Sequence, residues 1–477
     1  MNALPQIIQG GMGVSVSGWK LARAVSLQGG LGVVSGTAIE VVVARQLQLG
    51  DIGGHLARAF AAFPFPEIAQ KFWSRYFVPG GKAADAPFRG VPMHQVPCSP
   101  DLEAMTVVAS FAAVHLAKEG HRGPVGFNLL CKIPLPTLPA LFGAMLGGVD
   151  VVLMGAGIPR TIPGALDDLA AGRPAELRLD VDGATHEDHF ATAFDPSRFC
   201  PGGGAALQRP SFLAIVSSST LAMTLARKAN GTVDGFVVEY AEAGGHNAPP
   251  RGAMTLDAEG QPLYGPRDRP DLGQISKLGI PFWLAGGFGA LGKLAEAINL
   301  GAAGIQVGTA FAFCEESGIA PEIKRDVLER CNQGDIHVFT DPLASPTGFP
   351  FKLVITTGSA LKQAKDRPRV CDLGYLRQFY RKPDGSLGYH CPGEPSREFL
   401  RKGGSPSEMQ ARTCICNGLM ATAGLAQIRS DHSAEPPVIT AGDKLREIAD
   451  FAQGALSYSA AQVMETLRRL TPSRPLY

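Results

Sequence analysis

The chain has 477 residues, of which 45% are apolar and 18% are charged, and its net charge is +1. This is the composition of a globular protein, and the near-zero charge predicts neither a nucleic-acid partner nor an anionic membrane surface. The N-terminus, MNALPQIIQGGMG, lacks the basic and apolar regions of a signal peptide, and no apolar run has the length of a membrane span. We therefore expect a cytoplasmic protein whose nine cysteines remain thiols.

Strand-like apolar runs recur through the first 330 residues, and most of them precede a segment with helical spacing. The first two runs are LPQIIQGGMG (4–13) and LGVVSGT (31–37), with GWKLARAVSLQGG between them. The other six are GPVGFNLL (123–130), VDVVLMGAG (149–157), SFLAIVSSS (211–219), DGFVVEYAEAGGH (234–246), IPFWLAGGFG (280–289) and AGIQVGTAF (303–311). Stretches rich in proline, glycine or polar residues predict insertions at about 50–122 and 173–210.

Eight continuous apolar strands that alternate with helices predict an α/β fold, a (β/α)8 TIM barrel with two insertions. The alternative is a doubly wound open sheet, which would place G-x-G-x-x-G after its first strand. Here GAGIPR (155–160) has only G-x-G and follows the fourth strand. The pattern therefore favours a barrel over residues 1–335, followed by a C-terminal extension over 336–477.

Glycines mark the ends of most of these strands, and the carboxyl ends of barrel strands form the rim that carries the chemistry. Glycine lets the backbone approach a ligand closely, and amides in the following turns can bind a phosphate. The seventh and eighth units, WLAGGFG and IQVGTAF, occupy the usual position of such a phosphate site. We therefore expect a phosphate-bearing ligand at the rim, with His246 close to it.

The order of these motifs resembles the nitronate monooxygenase family, formerly the 2-nitropropane dioxygenases, and the related flavin-dependent enoyl reductases of fatty acid and polyunsaturated fatty acid synthesis. The resemblance covers about residues 4–330 and rests on IIQGGMG, GFNLL, EYAEAGGH and PFWLAGGFGALGKLAEAINLGAAGIQVGTAF. It implies a TIM barrel that binds FMN without a covalent bond.

The resemblance also implies which residues bind the cofactor. Those expected to contact FMN are Gly11, Met12, Gly13, Asn128, Ser218, Gly244, Gly245, Gly286, Gly287, Gly308 and Thr309. His246 matches the family's histidine near the reactive flavin nitrogen, where an imidazole can orient or deprotonate the substrate.

One position departs from the family pattern. Many members carry a basic residue at the end of the fifth strand, where this chain has Ser217, Ser218 and Ser219. Hydroxyl groups donate hydrogen bonds but add no charge, so this strand end is expected to stabilise a negative flavin less.

The C-terminal extension contains Cys371, Cys391, Cys414 and Cys416. A C-x-C pair with two distant partners lacks the paired C-x₂₋₄-C knuckles of structural zinc sites. The spacing therefore predicts buried thiols in a structural, metal-free extension.

The leading functional hypothesis is an FMN-dependent oxidoreductase that oxidises a nitronate or a similar carbanion, with O2 as the oxidant. The first alternative is an NAD(P)H-dependent enoyl reductase of a lipid or polyketide pathway, and the second is a flavin-binding accessory protein without turnover. All three bind a small molecule, and none requires nucleic acid or a membrane. The sequence leaves the substrate and the oligomeric state open.

Overall fold

The computed structural model describes residues 4–199, 206–356 and 369–469. Its centre is an eight-stranded parallel sheet. The strands are β1 (Ile7–Gln9), β2 (Gly32–Ser35), β3 (Val125–Leu130), β4 (Val151–Gly155), β8 (Ser211–Val216), β9 (Gly235–Glu239), β10 (Phe282–Ala285) and β11 (Gly304–Val307), in the spatial order β1-β11-β10-β9-β8-β4-β3-β2. The Gln9 amide donates to the Leu31 carbonyl (3.0 Å) and the Leu31 amide to the Ile7 carbonyl (2.9 Å), which closes the ring. The predicted (β/α)8 barrel is confirmed.

Successive residues of each strand face opposite sides of the sheet, so each strand is buried on both faces. Val33 lies in the cluster inside the barrel, and its neighbour Val34 packs under the surrounding helices. In β9, Val237 faces inward and Val238 faces outward. This two-sided burial explains why the strands are continuous apolar runs rather than alternating ones.

Twelve α-helices are described between β1 and residue 335. They are α1 (Trp19–Leu27), α2 (Ile39–Gln48), α3 (His55–Ala61), α4 (Pro66–Tyr76), α5 (Pro100–Lys118), α6 (Thr137–Leu146), α7 (Ile162–Ala170), α8 (Ser219–Lys228), α9 (Leu272–Ser276), α10 (Lys293–Asn299), α11 (Thr309–Ala312) and α12 (Pro321–Gln333). The α5 helix lies within the first predicted insertion (50–122). It is almost wholly buried, because it packs against α1 and α6 on the outside of the barrel. Part of this segment therefore belongs to the helical layer.

The second predicted insertion forms β5 (Ala175–Arg178), β6 (Val181–Asp182) and β7 (Ala191–Phe194). The β5 and β7 strands pair with each other, and β6 pairs with a strand of the C-terminal extension. Residues 200–205 of this insertion lie outside the described ranges.

The C-terminal extension begins as a hairpin of β12 (Ile336–Asp341) and β13 (Phe351–Thr356). It continues through β14 (Gln378–Arg381), β15 (Leu387–His390), α13 (Ser396–Arg401), α14 (Pro406–Met409), α15 (Ile415–Thr422), α16 (Ile448–Ala452) and α17 (Ala460–Arg468). The last two helices pack on α12 and α1 of the barrel and share its main apolar core. No helix in the described ranges combines the length and apolarity that a membrane crossing requires.

Gly304 lies where β11 pairs with β1, and its replacement by alanine is expected to destabilise the barrel. A Cβ atom at this position would lie 1.9 Å from the Gln6 carbonyl oxygen, so the β1–β11 pairing would have to move. Overpacking of this kind costs about 1–3 kcal/mol. Thermal unfolding of Gly304→Ala should show a lower midpoint, whereas Gly265→Ala, whose Cβ would have its nearest atom at 4.0 Å, should unfold like the parent. Equal midpoints for both variants would contradict this account of the β1–β11 pairing.

Candidate functional site

A cavity of about 500 Å³ lies at the carboxyl ends of the barrel strands. Its lining includes the residues that follow β1, β3, β4, β8, β9, β10 and β11. A cavity of this size at this end of a barrel is the usual location of an active site.

The structure brings most of the sequence-predicted residues to this cavity. Its lining includes Gly11, Met12, Gly13, Asn128, Gly244, Gly245, His246, Gly286, Gly287, Gly308 and Thr309. Ser218 is absent from the lining. Its hydroxyl caps α8 by accepting a hydrogen bond from the Leu221 amide (3.1 Å). The neighbouring Ser217 lines the cavity instead.

The loop after β1 lies tightly against β3. A Cβ atom at Gly11 would lie 2.2 Å from the Asn128 Cβ atom, so only glycine fits there. Ser17 fixes the loop from behind: its hydroxyl donates to the Gly10 carbonyl (2.8 Å) and accepts from the Met12 amide (2.8 Å). The backbone of residues 10–13 is therefore held in place by packing and hydrogen bonds where it lines the cavity.

The turn after β10 presents backbone amides. Gly286 and Gly287 have φ values of +83° and +77°, which favour glycine. The amides of Gly287, Phe288 and Thr309 donate to no other residue in the described ranges. Unused amides at neighbouring strand ends can bind an anion such as a phosphate.

The segment Gly244-Gly245-His246 lies against two parts of the C-terminal extension. The Gly245 amide donates to the Thr440 hydroxyl (2.9 Å), and its carbonyl accepts from the Lys352 amide (2.9 Å). A Cβ atom at Gly244 would lie 2.7 Å from the Ala441 carbonyl carbon. The first glycine is therefore needed because another stretch of backbone passes directly over it.

His246 is held in place by the same extension. Its Nε2 atom shares a hydrogen bond of 2.7 Å with the Ser345 hydroxyl, and its ring meets the Phe351 ring edge-on at 4.8 Å. Burial, together with the positive charge of Lys132, lowers the pKa of His246 to about 3. The imidazole is therefore neutral at physiological pH, and Nδ1 has no partner among the described residues.

Lys132 lines the cavity two residues after β3 and was not among the residues predicted from the sequence. Its ammonium lies 3.6 Å from the centre of the Phe349 ring and has no hydrogen-bond partner in the described structure. Burial lowers its pKa to about 7, against the opposing effects of Cys131 and Glu239. A buried ammonium without a partner is costly unless an anionic ligand binds it.

Glu239, the last residue of β9, also lines the cavity. Burial raises the pKa of its carboxyl to about 7, although the positive charge of Lys132 acts in the opposite direction. Perturbed titratable groups that converge on one cavity are typical of functional sites. The sequence feature that could have identified Lys132 and Glu239 as cavity residues is their position at or just after the carboxyl end of a strand.

Two further polar atoms at the cavity are buried and have no described partner, Gln306 Oε1 and Asn247 Oδ1. Both are hydrogen-bond acceptors. With the unused backbone amides and the Lys132 ammonium, the site offers a ligand both donors and acceptors.

Apolar residues of the C-terminal extension form the outer wall of the cavity. Those that line it include Phe349, Phe351, Leu373, Tyr375, Leu376, Ile415, Leu419, Val438 and Phe451. This wall restricts water at the site and strengthens electrostatic interactions inside it.

Residues 202–344 match the family model described as nitronate monooxygenase. A probable nitronate monooxygenase of Bacillus subtilis (strain 168) is 34% identical over 131 residues, which cover 26% of this chain and 34% of the relative. The chain thus matches about one third of that relative's length.

Several solved structures align with most of this chain at low sequence identity. FabK from Thermotoga maritima is 17% identical with a TM-score of 0.43, covering 97% of this chain and 91% of its own. Nitroalkane oxidase from Streptomyces ansochromogenes is 16% identical with a TM-score of 0.47, and the alignment covers 97% of this chain and 94% of the oxidase. The enoyl reductase domain of MlnA from the macrolactin biosynthesis cluster of Bacillus amyloliquefaciens is 11% identical with a TM-score of 0.45, and the alignment covers 97% of this chain and 92% of that domain.

The match over residues 202–344 includes β8 to β11 and the turns that follow them, which provide much of the cavity rim. The resemblance seen in the sequence is confirmed over residues 202–344, which carry the pattern of the nitronate monooxygenase family and form part of the (β/α)8 barrel.

Proposed function

We propose that the chain is an FMN-dependent oxidoreductase that oxidises a nitronate or a similar carbanion, with O2 as the final oxidant. The observation that carries this proposal is a rim cavity in which unused backbone amides, buried acceptors and one ammonium without a described hydrogen-bond partner surround a single volume. This set fits a phosphate-bearing, hydrogen-bonding cofactor together with an anionic substrate.

The residues that would hold FMN fall into two groups. The amides of Gly287, Phe288 and Thr309 would donate to its phosphate, and the backbone of Gly11 to Gly13 would lie against its ring. Gln306 Oε1 and Asn247 Oδ1 provide acceptors for ring or ribityl donors. When bound, FMN supplies the electron acceptor that no amino-acid side chain can provide.

The charged residues would act on the substrate. The Lys132 ammonium can bind the oxygens of a nitronate, a role that the serines at the end of β8 cannot fill because they carry no charge. Neutral His246 can donate or accept a hydrogen bond through Nδ1 while Ser345 holds Nε2. Glu239, whose pKa of about 7 lets it exchange a proton near neutrality, is the second candidate proton carrier.

The alternative, an NAD(P)H-dependent enoyl reductase, is favoured by one observation. The C-terminal wall of the cavity is apolar and includes Leu376, Leu419 and Phe451. An acyl chain could pack on such a wall, whereas a small nitronate would use little of it.

The two activities are separated by anaerobic reduction in the spectrophotometer. The purified protein is mixed with propionate-derived nitronate in one cuvette and with NADPH or NADH in another. Bleaching of the flavin by the nitronate alone supports the leading proposal, and bleaching by the nicotinamide supports the alternative. A flavin that neither reagent bleaches would indicate a binding protein without turnover.

We expect the purified chain to be yellow, with one FMN per chain, and Gly308→Leu to bind FMN at least about tenfold more weakly, a loss of about 1.4 kcal/mol. A Cβ atom at Gly308 would lie 3.6 Å from Met12 Sδ, an ordinary contact, so the fold tolerates a side chain whose remaining atoms then occupy the cavity. Titration of the apoprotein with FMN measures the effect.

Gly90→Leu is the matched control, because Gly90 is exposed and a Cβ atom there would have no neighbour within 4 Å. A parent protein that is colourless and does not take up added FMN would refute the proposed function.

A further inference from the structure

His246 is the inner end of a chain of side chains that leads away from the rim cavity. Its Nε2 atom shares a hydrogen bond of 2.7 Å with the Ser345 hydroxyl, which shares a second one of 2.8 Å with the Thr347 hydroxyl. Neither Ser345 nor Thr347 lines the cavity. Ser345 is fully buried, whereas Thr347 is half-buried and precedes the exposed Gly348, so the chain leads from the cavity towards the protein surface.

The loop that carries both hydroxyls connects β12 to β13 and is fixed by further hydrogen bonds. The Asp341 carboxylate accepts from the Leu343 amide (2.7 Å). The Arg412 guanidinium donates to the carbonyls of Leu343 (2.7 Å) and Ser345 (2.8 Å). The C-terminal extension therefore holds the Ser345 hydroxyl at hydrogen-bond distance from His246.

The Ser345 hydroxyl has three partners for its three hydrogen-bonding positions. A hydroxyl has one donor and two acceptor positions, and one acceptor position is filled by the Thr347 amide (3.2 Å). The hydroxyl must therefore accept from one of its remaining partners and donate to the other. In one arrangement, His246 Nε2 donates to Ser345, which donates to the Thr347 hydroxyl. In the other, the Thr347 hydroxyl donates to Ser345, which donates to His246 Nε2.

These two arrangements correspond to the two neutral tautomers of His246. In the first, Nε2 carries the proton and Nδ1 can accept one from a molecule in the cavity, and in the second, Nδ1 carries the proton. Burial and the charge of Lys132 lower the pKa of His246 to about 3, so the ring does not hold both protons near neutrality. Uptake of a proton at Nδ1 therefore requires release of one at Nε2.

We propose that Ser345 and Thr347 are positioning residues of a proton relay that connects His246 with solvent water while the imidazole stays neutral. When Nδ1 takes the α-proton of a carbon acid, the bonding electrons remain on the carbon and Nε2 gives its proton to Ser345. Ser345 gives its own proton to Thr347, and Thr347 gives its own to water. After the product leaves, Nδ1 releases its proton to water and the reverse transfers restore the first tautomer. The carbon acid rests on the proposed function, whereas the relay rests only on these three residues.

The tautomers of His246 test the relay without any turnover. They differ in the nitrogen shifts of the imidazole, which nuclear magnetic resonance measures on protein labelled at histidine. The signals of His246 among the ten histidines are those missing from His246→Ala. In Thr347→Val, Ser345 can donate only to His246 Nε2, because the other acceptor is gone. We expect the Nε2–H tautomer to be populated in the parent and to fall at least about tenfold in this variant, since it would leave a buried hydroxyl without an acceptor.

Steady-state kinetics give the second readout. A neutral nitroalkane must lose its α-proton before oxidation, whereas its nitronate has already lost it. We expect the ratio of kcat for nitroethane to kcat for ethylnitronate to fall at least about tenfold in Thr347→Val. Thr347→Ser restores a hydroxyl and should recover both this ratio and the tautomer populations. Thr224→Val, which removes a hydroxyl of α8 outside the cavity, is the control and should match the parent.

Thr347→Val decides between a relay and a structural role, because the Thr347 hydroxyl bonds to Ser345 and not to His246. A variant with the tautomer populations of the parent overturns the proposal, and so does one with the parent's ratio of nitroethane to ethylnitronate turnover. If valine prevents folding, Thr347→Ala removes the same hydroxyl with a smaller side chain. If the parent turns over neither compound, the proposed function is contradicted, whereas the tautomer populations still support or overturn the relay.

Discussion

His246→Ala is expected to retain FMN and lose most of its turnover. The proposed FMN contacts are spread over the turns after β1, β10 and β11, so loss of one imidazole removes little binding energy. A positioned acid, base or hydrogen-bonding group contributes roughly 100-fold or more to the rate. We therefore expect kcat/KM with the true substrate to fall by at least about 100-fold while the visible spectrum stays unchanged.

The pH profile gives a second measure of this role. Since the pKa of His246 is about 3, its protonated form is absent above about pH 5. We therefore expect the pH profiles of the parent and of His246→Ala to have the same shape around pH 6.5, the usual pKa of histidine. His337→Ala, at an exposed position of β12, is the control and should turn over normally. Normal turnover of His246→Ala would make His246 a structural rim residue, and loss of FMN would make it a cofactor-binding one.

Lys132→Met is expected to bind anionic substrates poorly and to turn over roughly 100-fold more slowly, since it removes the unpartnered ammonium of the cavity. Methionine loses the contact of the ammonium with the Phe349 ring but has a similar length and can pack its thioether on that ring, so the fold should be preserved. Steady-state kinetics with a nitronate measure both effects. Lys71→Met removes an exposed lysine paired with Asp101 and should change neither.

The pKa values of Lys132 and Glu239, both about 7, determine how the affinity of the cavity for an anion changes with pH. Below pH 7, Lys132 is protonated and carries a positive charge, and Glu239 is protonated and neutral, so the pair carries a charge of +1. Above pH 7, both have lost a proton and the pair carries a charge of −1. Affinity for an anion should therefore fall as the pH rises through 7, and this step should shrink in Lys132→Met. A parent protein whose affinity for anions does not change between pH 6 and 8 would contradict this assignment.

The barrel followed from the sequence because its signal is local. Each strand is buried on both faces, so runs such as GFVVEY are largely apolar, and most of the runs are followed by a glycine that allows a tight turn. The order of those turns was also enough to indicate the family, and it placed His246 and the paired glycines at one rim.

Side-chain assignments within a turn were less secure. The sequence predicted Ser218 as a contact, whereas in the structure its hydroxyl caps α8 and its neighbour Ser217 lines the cavity. A change of one position alters the direction of a side chain at the end of a strand, and composition carries no information about that direction.

The sequence by itself determined the α/β barrel, its rim and the glycine turns, because these depend on the periodicity and conformational freedom of neighbouring residues. Only the tertiary structure showed that Lys132 and Glu239 meet His246 in one cavity, and that Gly244 lies under the C-terminal backbone. Only the tertiary structure brought Cys371, Cys391, Cys414 and Cys416 together. These contacts join residues that are distant in the chain, and spacing along the sequence does not encode distances of that kind.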